Sequence, residues 1–396
     1  MSVSKRVILT FTGGYVPGFK GGGPIRSIEN LVEALGDEFN FMIITLDRDL
    51  DCNECYPGIK VNEWQKVGKA DVFYISPNCL TLPHLCHVIN EVEFDVLYLN
   101  SFFSFKFTIF PLVLRRIGLL KNKVTIVAPR GELWAGAMKI KALKKNIFIW
   151  FAKILKLYEN VVWQASSLHD IENIKSAFKI RGNSSNTAPI IVAPNLSKAI
   201  QNDNGCSKRN KKPGSLNLVF LSRISPKKNL DGALKMMCGL SGKVTFNIFG
   251  PLEDLEYWNK CRCIIDTLPP NIKVNYKGAV RHDEVAGVLS KCELFLFPTY
   301  GENYGHVIIE ALNAGCPILI SDQTPWRGLE NERVGWDFSL DHPEKFNAIL
   351  QKCVDMDNRE FGSLSCRAKL YGAKIATNMK SLEQNRELFN YQLICD

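Results

Sequence analysis

Two successive series of apolar runs, parted once by a polar and basic stretch, predict an α/β chain of two doubly wound, Rossmann-like domains facing each other across a cleft. In the first series, residues 7–10, 41–46, 71–75, 96–99, 124–128, 161–165 and 190–193 read as strands, with helical patterns between most of them. In the second, residues 218–221, 244–248, 272–276, 294–297 and 318–320 repeat the alternation. The break falls at residues 201–215, which hold Asn, Gly and Ser and the run Lys208-Arg209-Asn210-Lys211-Lys212. It reads as a linker between domains at 1–200 and 216–378, with the basic run as a solvated loop. Residues 379–396 are expected to form a helix packing back toward the first domain. At 396 residues and 46% hydrophobic content, the chain is long enough for two full cores.

The strand at residues 7–10 runs into Thr12-Gly13-Gly14, and Gly21-Gly22-Gly23-Pro24 opens a helix over residues 25–35. Glycine lets a backbone approach a ligand closely, and proline suits the first helical turn. The pattern is neither Gly-x-Gly-x-x-Gly nor a Walker loop. It reads either as a ligand-facing turn, with Gly22 and Gly23 toward the ligand, or as a mobile loop. Arg26 either faces the same cleft or caps the surface.

The second domain carries the more specific signal. Glu302 and Glu310 stand eight positions apart around Asn303-Tyr304-Gly305-His306. Residues 307–314 read as a helix beginning near Gly305, so its unpaired N–H groups and positive dipole end face the mouth of the sheet and suit an anion. Glu302 precedes that helix and Glu310 lies about five residues into it, about 8 Å along the axis. A carboxylate does not bind phosphate, but it accepts hydrogen bonds from vicinal hydroxyls. Phosphate at the helix end with hydroxyls at two acids describes a nucleotide sugar. Plainer readings stand beside this one: Glu302 as a helix-start acid, Glu310 as a surface acid, and His306 packed on Tyr304 rather than touching ligand.

A diphosphate also needs cations, and no Asp-x-Asp metal cluster stands beside these acids. The strand at residues 218–221 leads to Arg223 and then Ile224-Ser225-Pro226-Lys227-Lys228. Arg223 and Lys228 either converge on one phosphate or form a solvated turn. At an effective dielectric near 20, each unit-charge pair at about 4 Å contributes about 4 kcal/mol. Two fixed cations and a helix terminus can then replace a divalent ion and stabilise a departing nucleoside diphosphate.

On these residues the chain resembles the glycosyltransferases of family 4, which have the two-domain GT-B fold. The resemblance is carried by Pro298-Thr299 with Glu302-Asn303-Tyr304-Gly305, by Glu310-Ala311-Leu312-Asn313-Ala314-Gly315-Cys316-Pro317, by Arg223 and Lys228, by Gly21-Gly22-Gly23, and by Pro194-Asn195. It implies a retaining, metal-independent hexosyltransferase with no cofactor, in which Arg223, Lys228 and Glu302 are catalytic. Gly22, Gly23, Asn303, Tyr304, Gly305, His306 and Glu310 are then the donor-binding residues. The first domain becomes the acceptor side and the second the nucleotide-sugar side. The expected acceptor is a glycan or lipid-linked glycan in lipopolysaccharide O-antigen, capsule or exopolysaccharide synthesis. Two departures are visible: Asn303-Tyr304 replace the common Gly-Phe, and Pro129-Arg130-Gly131-Glu132 stands where a histidine is often seen. A non-catalytic nucleotide-sugar-binding partner and a GT-B epimerase are the alternatives.

Thirteen scattered cysteines, with no signal peptide before them, argue against a disulfide framework and for a cytoplasmic protein. Cys52, Cys55, His84, Cys86 and His87 lack the second pair a zinc site needs. The net charge of +9 suggests an anionic partner. Nucleic acid is not expected, since no helix-turn-helix, zinc finger or aromatic-studded basic strand is present. A membrane surface fits better. Over residues 138–158, Ile140, Leu143, Ile147, Trp150, Phe151, Ile154 and Tyr158 fall on one helical face and Lys141, Lys145, Lys153 and Lys156 opposite. The simpler reading of the same pattern is packing, with the apolar face buried on the sheet and the lysines in water. No apolar stretch reaches the about 18 residues a bilayer span needs.

Overall fold

The computed structural model describes residues 5–121, 123–134, 138, 142–178, 189–198 and 209–392. The chain divides into two compact units, residues 1–198 with 379–396, and residues 199–378.

In the first unit the strands are β1 (Val7–Phe11), β2 (Asn40–Leu46), β3 (Trp64–Val67), β4 (Ala70–Ile75), β5 (Val96–Leu99), β6 (Val124–Val127), β7 (Val162–Ala165) and β8 (Ile190–Val192). They form one sheet in the order β3-β4-β2-β1-β5-β6-β7-β8. All pairs are parallel except β3 with β4. Apolar side chains on both faces of β5, β6 and β7 are buried, as a parallel sheet covered by helices requires. The helices are α1 (Gly23–Leu35), α2 (Leu82–Asn90), α3 (Phe110–Arg116), α4 (Ala142–Ile154) and α5 (Leu168–Phe178), with a π-helical turn at Phe105–Ile109 leading into α3.

The second unit holds β9 (Ser215–Leu221), α6 (Leu230–Met236), β10 (Lys243–Phe249), α7 (Leu255–Ile265), β11 (Ile272–Tyr276), α8 (His282–Leu289), β12 (Leu294–Phe297), α9 (His306–Asn313), β13 (Ile318–Ser321), α10 (Leu329–Glu332) and β14 (Gly335–Phe338). Its sheet is parallel throughout, in the order β11-β10-β9-β12-β13-β14. The chain winds outward from β9 on one side and from β12 on the other, so the winding reverses between these two strands. Helices α11 (Pro343–Asp355) and α12 (Asn358–Ala376) complete the unit, and α13 (Met379–Asn390) belongs to the first unit again. There Phe389 packs at 5.7 Å from the rings of Phe39 and Phe41 and 5.2 Å from Tyr98.

Two expectations are corrected. The basic run is only in part a solvated loop where it is described: Asn210 and Lys212 are exposed, but Arg209 and Lys211 are tied into the fold. Arg209 donates to the carbonyls of Ser290, Leu289, Ala314 and Gly315, at the C-terminal ends of α8 and α9. Lys211 is buried, donating to the carbonyls of Lys212, Ser215 and Val354, with Glu293 3.9 Å away. The C-terminal ends of helices leave carbonyls unpaired, and Arg209 satisfies those of α8 and α9 and complements their dipoles. Ser215 already lies in β9, and residues 201–208 with Lys208 lie outside the described residues.

The second correction concerns α4. Its sheet side is the stripe Lys145, Phe148, Ile149, Ala152 and Lys153: Ile149 and Ala152 are buried, Phe148 packs 5.6 Å from Phe103, and the ammonium groups of Lys145 and Lys153 sit over the rings of Phe103 and Phe178. The opposite stripe is exposed: Leu143 75%, Ile147 47%, Trp150 58%, Phe151 52% and Ile154 57%. The apolar face that packing was expected to bury therefore lies in solvent, while Tyr158 is buried. Ile140 and Lys141 lie outside the described residues.

Candidate active site of the second unit

Adjacent strands β9, β12 and β13 end on the same edge of the sheet, beside the reversal of winding where α/β sheets place their ligands. Their outgoing loops are tied together. Lys227 O accepts from Tyr300 N at 2.9 Å and from Thr299 Oγ1 at 3.1 Å. Asn229 Nδ2 donates to Pro298 O at 2.8 Å, Ser321 Oγ donates to Thr299 O, and Glu302 N donates to Gln323 O at 3.0 Å. Asn229 holds the left-handed φ of 56° that lets a single turn at Pro226–Lys228 pass directly into α6. These ties hold Lys228 and Glu302 in register although they lie far apart in sequence.

The Lys228 ammonium donates to Glu302 Oε1 and sits 5.4 Å over the Phe297 ring. Lys228 is buried, and Glu302 is largely so. Burial pushes the Glu302 carboxyl up, but the Lys228 ammonium, with Lys227 and Arg223 behind it, overcomes this and holds it below the ordinary glutamate range. Arg223 is thus within electrostatic reach of Glu302. Its own ion pair is with Glu253 at 2.7 Å, at a half-exposed position.

Gly305 caps α9 with a φ of 77°, a conformation glycine adopts without strain. The helix starts at His306, one residue earlier than the sequence suggested. His306 is buried with its ring 4.8 Å from Tyr304, and Tyr304 O accepts from the Trp326 indole. The histidine therefore packs on Tyr304. Asn303 and Tyr304 are half-buried in the turn. Glu310 is half-buried on α9 with His282 Nδ1 3.7 Å from its carboxylate.

The arrangement gathers Arg223, Lys228, Glu302, the 303–306 turn and the start of α9 on one sheet edge. Gly22 and Gly23 lie in the first unit, where Gly22 precedes α1 with a φ of 67° and open space where a side chain would be. Arg26 pairs with Glu29 along α1, its side chain largely buried. Two participants escaped the sequence reading, Glu253 and His282. Both follow strands of the second sheet, after β10 and β11, so the rule that ligands bind beyond strand ends was the signal that could have found them.

Residues 205–359 match the family model described as glycosyl transferases group 1. The phosphatidylinositol N-acetylglucosaminyltransferase gpi3 subunit of Schizosaccharomyces pombe is 30% identical over 110 residues, covering 26% of this chain and 23% of that protein. An uncharacterized 41.2 kDa protein in the cps region of Klebsiella pneumoniae is 23% identical over 239 residues, covering 58% of this chain and 61% of that one. The chain thus matches less than two thirds of the length of either relative. Among solved structures, Anabaena HepE in complex with UDP and glucose superposes with a TM-score of 0.68 at 15% identity, covering 97% of this chain and 99% of that one. The two-unit architecture is the GT-B fold, and within it residues 205–359 are similar to the glycosyl transferases of group 1.

Proposed function

We propose that the chain transfers a hexose-type sugar from a nucleoside diphosphate to an acceptor hydroxyl, with retention at the anomeric carbon and without a metal. The observation that carries this is the meeting of Lys228, Glu302 and Arg223 at the start of α9 on the reversal edge of the second sheet. The bond from the anomeric carbon to the diphosphate breaks as the bond to the acceptor oxygen forms, and the acceptor proton leaves to solvent. Negative charge then grows on the diphosphate. Arg223 exchanges Glu253 for phosphate, Lys228 swings from Glu302 toward the same group, and the N–H groups near Gly305 complete the cradle. Glu302, released from Lys228, accepts from the sugar hydroxyls, and Glu310 from the ribose. Asn303, Tyr304 and His306 shape the turn. HepE, which shares the fold, has been captured with UDP and glucose, and this supports a uridine donor.

The acceptor proposed is a glycan or lipid-linked glycan in surface-polysaccharide synthesis (O-antigen, capsule or exopolysaccharide), a setting supported by the likeness to the cps-region protein. No helix among the described residues is long and apolar enough to cross a membrane. The exposed stripe of α4 instead fits contact with the inner face of the membrane. This helix carries no acidic residue and holds Lys144; Lys156 and Arg116 stand near its end, where both pair with Glu159, at 3.3 and 3.7 Å. Such cations draw a surface toward anionic headgroups, about 1 kcal/mol each.

A panel of nucleotide sugars screened by thermal unfolding tests the donor reading, because a ligand of the folded state raises the midpoint by mass action. One donor is expected to raise it and to be turned over with an acceptor. Binding with no transfer or hydrolysis would leave a binding protein, and interconversion without acceptor would make it an epimerase.

A further inference from the structure

The sheet of the first unit has its own reversal of winding, between β1 and β5, and a cation is held on its C-terminal edge. Beyond β6 the chain reaches Arg130, which adopts a φ of 52°. A non-glycine residue enters that region only where its surroundings hold it there. The half-buried guanidinium donates from Nε and Nη2 to Asn100 Oδ1 at 3.1 and 2.6 Å, from Nη2 to the Tyr98 hydroxyl at 2.7 Å, and from Nη1 to Asn195 Oδ1. The partners come from β5, from the residue just past it, and from the segment after β8, so the group is locked in orientation.

Every one of those partners is neutral. Among the described residues no carboxylate pairs with Arg130, and the two nearest by sequence or charge are committed elsewhere. Glu132 accepts from Ser101 Oγ and from the N–H groups of Phe102 and Phe103, both at 2.8 Å. Asp170, within electrostatic reach of Arg130, accepts from Ser166 N at 3.0 Å and from its hydroxyl. The four hydrogen bonds use four of the guanidinium's five donors, leaving one on Nη1. Asn100 Nδ2, on the amide that grips Arg130, is buried without a partner. A fixed cation with a spare donor and no carboxylate bonded to it, on the sheet edge beside a reversal of winding, is built for an anion.

We propose that Arg130, positioned by Asn100, Tyr98 and Asn195, binds an anionic group, a carboxylate or a phosphate, carried by the acceptor. Naming the acceptor rests on the transferase reading; the anion site does not. A purely structural arginine would pin β5, β6 and the segment after β8 together and discriminate no ligand.

Thermal unfolding of the full chain separates these roles. The probes are glucuronate and inorganic phosphate, with glucose as the neutral control and UDP as the reporter of the second unit. One of the two anions is expected to raise the midpoint and glucose is not. Arg130→Gln is expected to weaken that anion about ten- to a hundredfold, as loss of a charged hydrogen bond does, while the shift from UDP is retained. Glucuronate acting and phosphate not would identify a uronic-acid acceptor, and the reverse a phosphorylated one. If Arg130→Gln does not fold, Arg130→Lys replaces it and is expected to retain part of the anion effect. No shift with either anion, an undiminished shift in the variant, or a shift abolished by Arg223→Gln would overturn the proposal. Absence of any UDP effect in the unaltered chain counts against the transferase reading and leaves the anion result standing.

Discussion

At the scale of single residues, the proposed site of the second unit is a set of charges that neutralise one another. Lys228 is buried against Glu302, so removing either partner strands the other. Lys228→Met is expected to lower kcat by about a hundredfold or more, the range for losing one preorganised donor to a developing anion, with a smaller change in KM. An unchanged kcat in steady-state assays would remove Lys228 from the catalytic set. The pH dependence of folding follows from the same pair. Because the folded pKa of Glu302 is depressed, its stabilisation is present above the unfolded glutamate value, about 4.3, and fades as pH falls through the lower folded value. Urea titrations from about pH 5 to pH 3 should show the unaltered chain losing more stability than Glu302→Gln. Equal losses would mean that Lys228 does not hold the carboxylate ionised. Gly250 illustrates a different constraint. Its φ is 140°, and a Cβ there would lie 1.8 Å from Ser222 O, in the turn that leads β10 toward Glu253.

Among the secondary-structure elements, the sequence showed where most strands lie, misjudged the surroundings of Arg209 and left the two faces of α4 open. Arg209 looked like one of several solvated cations because hydrogen bonds to distant carbonyls leave no local pattern. It gathers the ends of α8 and α9, and α9 carries Glu310. Arg209→Met should destabilise the chain by about 2–4 kcal/mol through the carbonyls it leaves unpaired, read by chemical denaturation; a loss below about 0.5 kcal/mol would mean water takes over the caps. Helix α4 was legible as a helix with two stripes, but hydropathy alone left open whether the apolar stripe meets the sheet or the solvent. The side chosen for the sheet is the one whose lysine stems cover Phe103 and Phe178. Trp150→Glu with Phe151→Glu is therefore expected to leave the unfolding midpoint within about 2 °C, since both positions are exposed, and to abolish co-sedimentation with vesicles rich in anionic lipid. Retained sedimentation would remove α4 from the membrane surface. The edge strand β3 escaped notice because Trp64-Gln65-Lys66-Val67 is short and half polar, and β14 because it opens on a glycine. Gly335 has a reason to be there: a Cβ would lie 2.1 Å from Ile318 O.

For the molecule as a whole, each of the two sheets has one reversal of winding, and the chain's last described helix returns to the first unit. Asn385 Nδ2 donates to Pro194 O at 2.9 Å, Arg386 pairs with Glu38 at 2.7 Å, and Phe389 fills the space beside Phe39, Phe41 and Tyr98. Phe389→Ala should cost about 3–5 kcal/mol, as a fully buried aromatic does, and should lower the midpoint of the first unit more than that of the second in calorimetry. The sequence by itself determined the class of fold, most strand positions and the residue types proposed for the donor site, because apolar periodicity and the spacing of acids and cations around a helix start are local properties. The partners of those charges were decided by the tertiary structure. Glu253 against Arg223, Glu302 against Lys228, Asn100 and Asn195 against Arg130, and the side of α4 left in water all depend on which strands become neighbours, and pairing between remote segments is set by packing of the whole sheet.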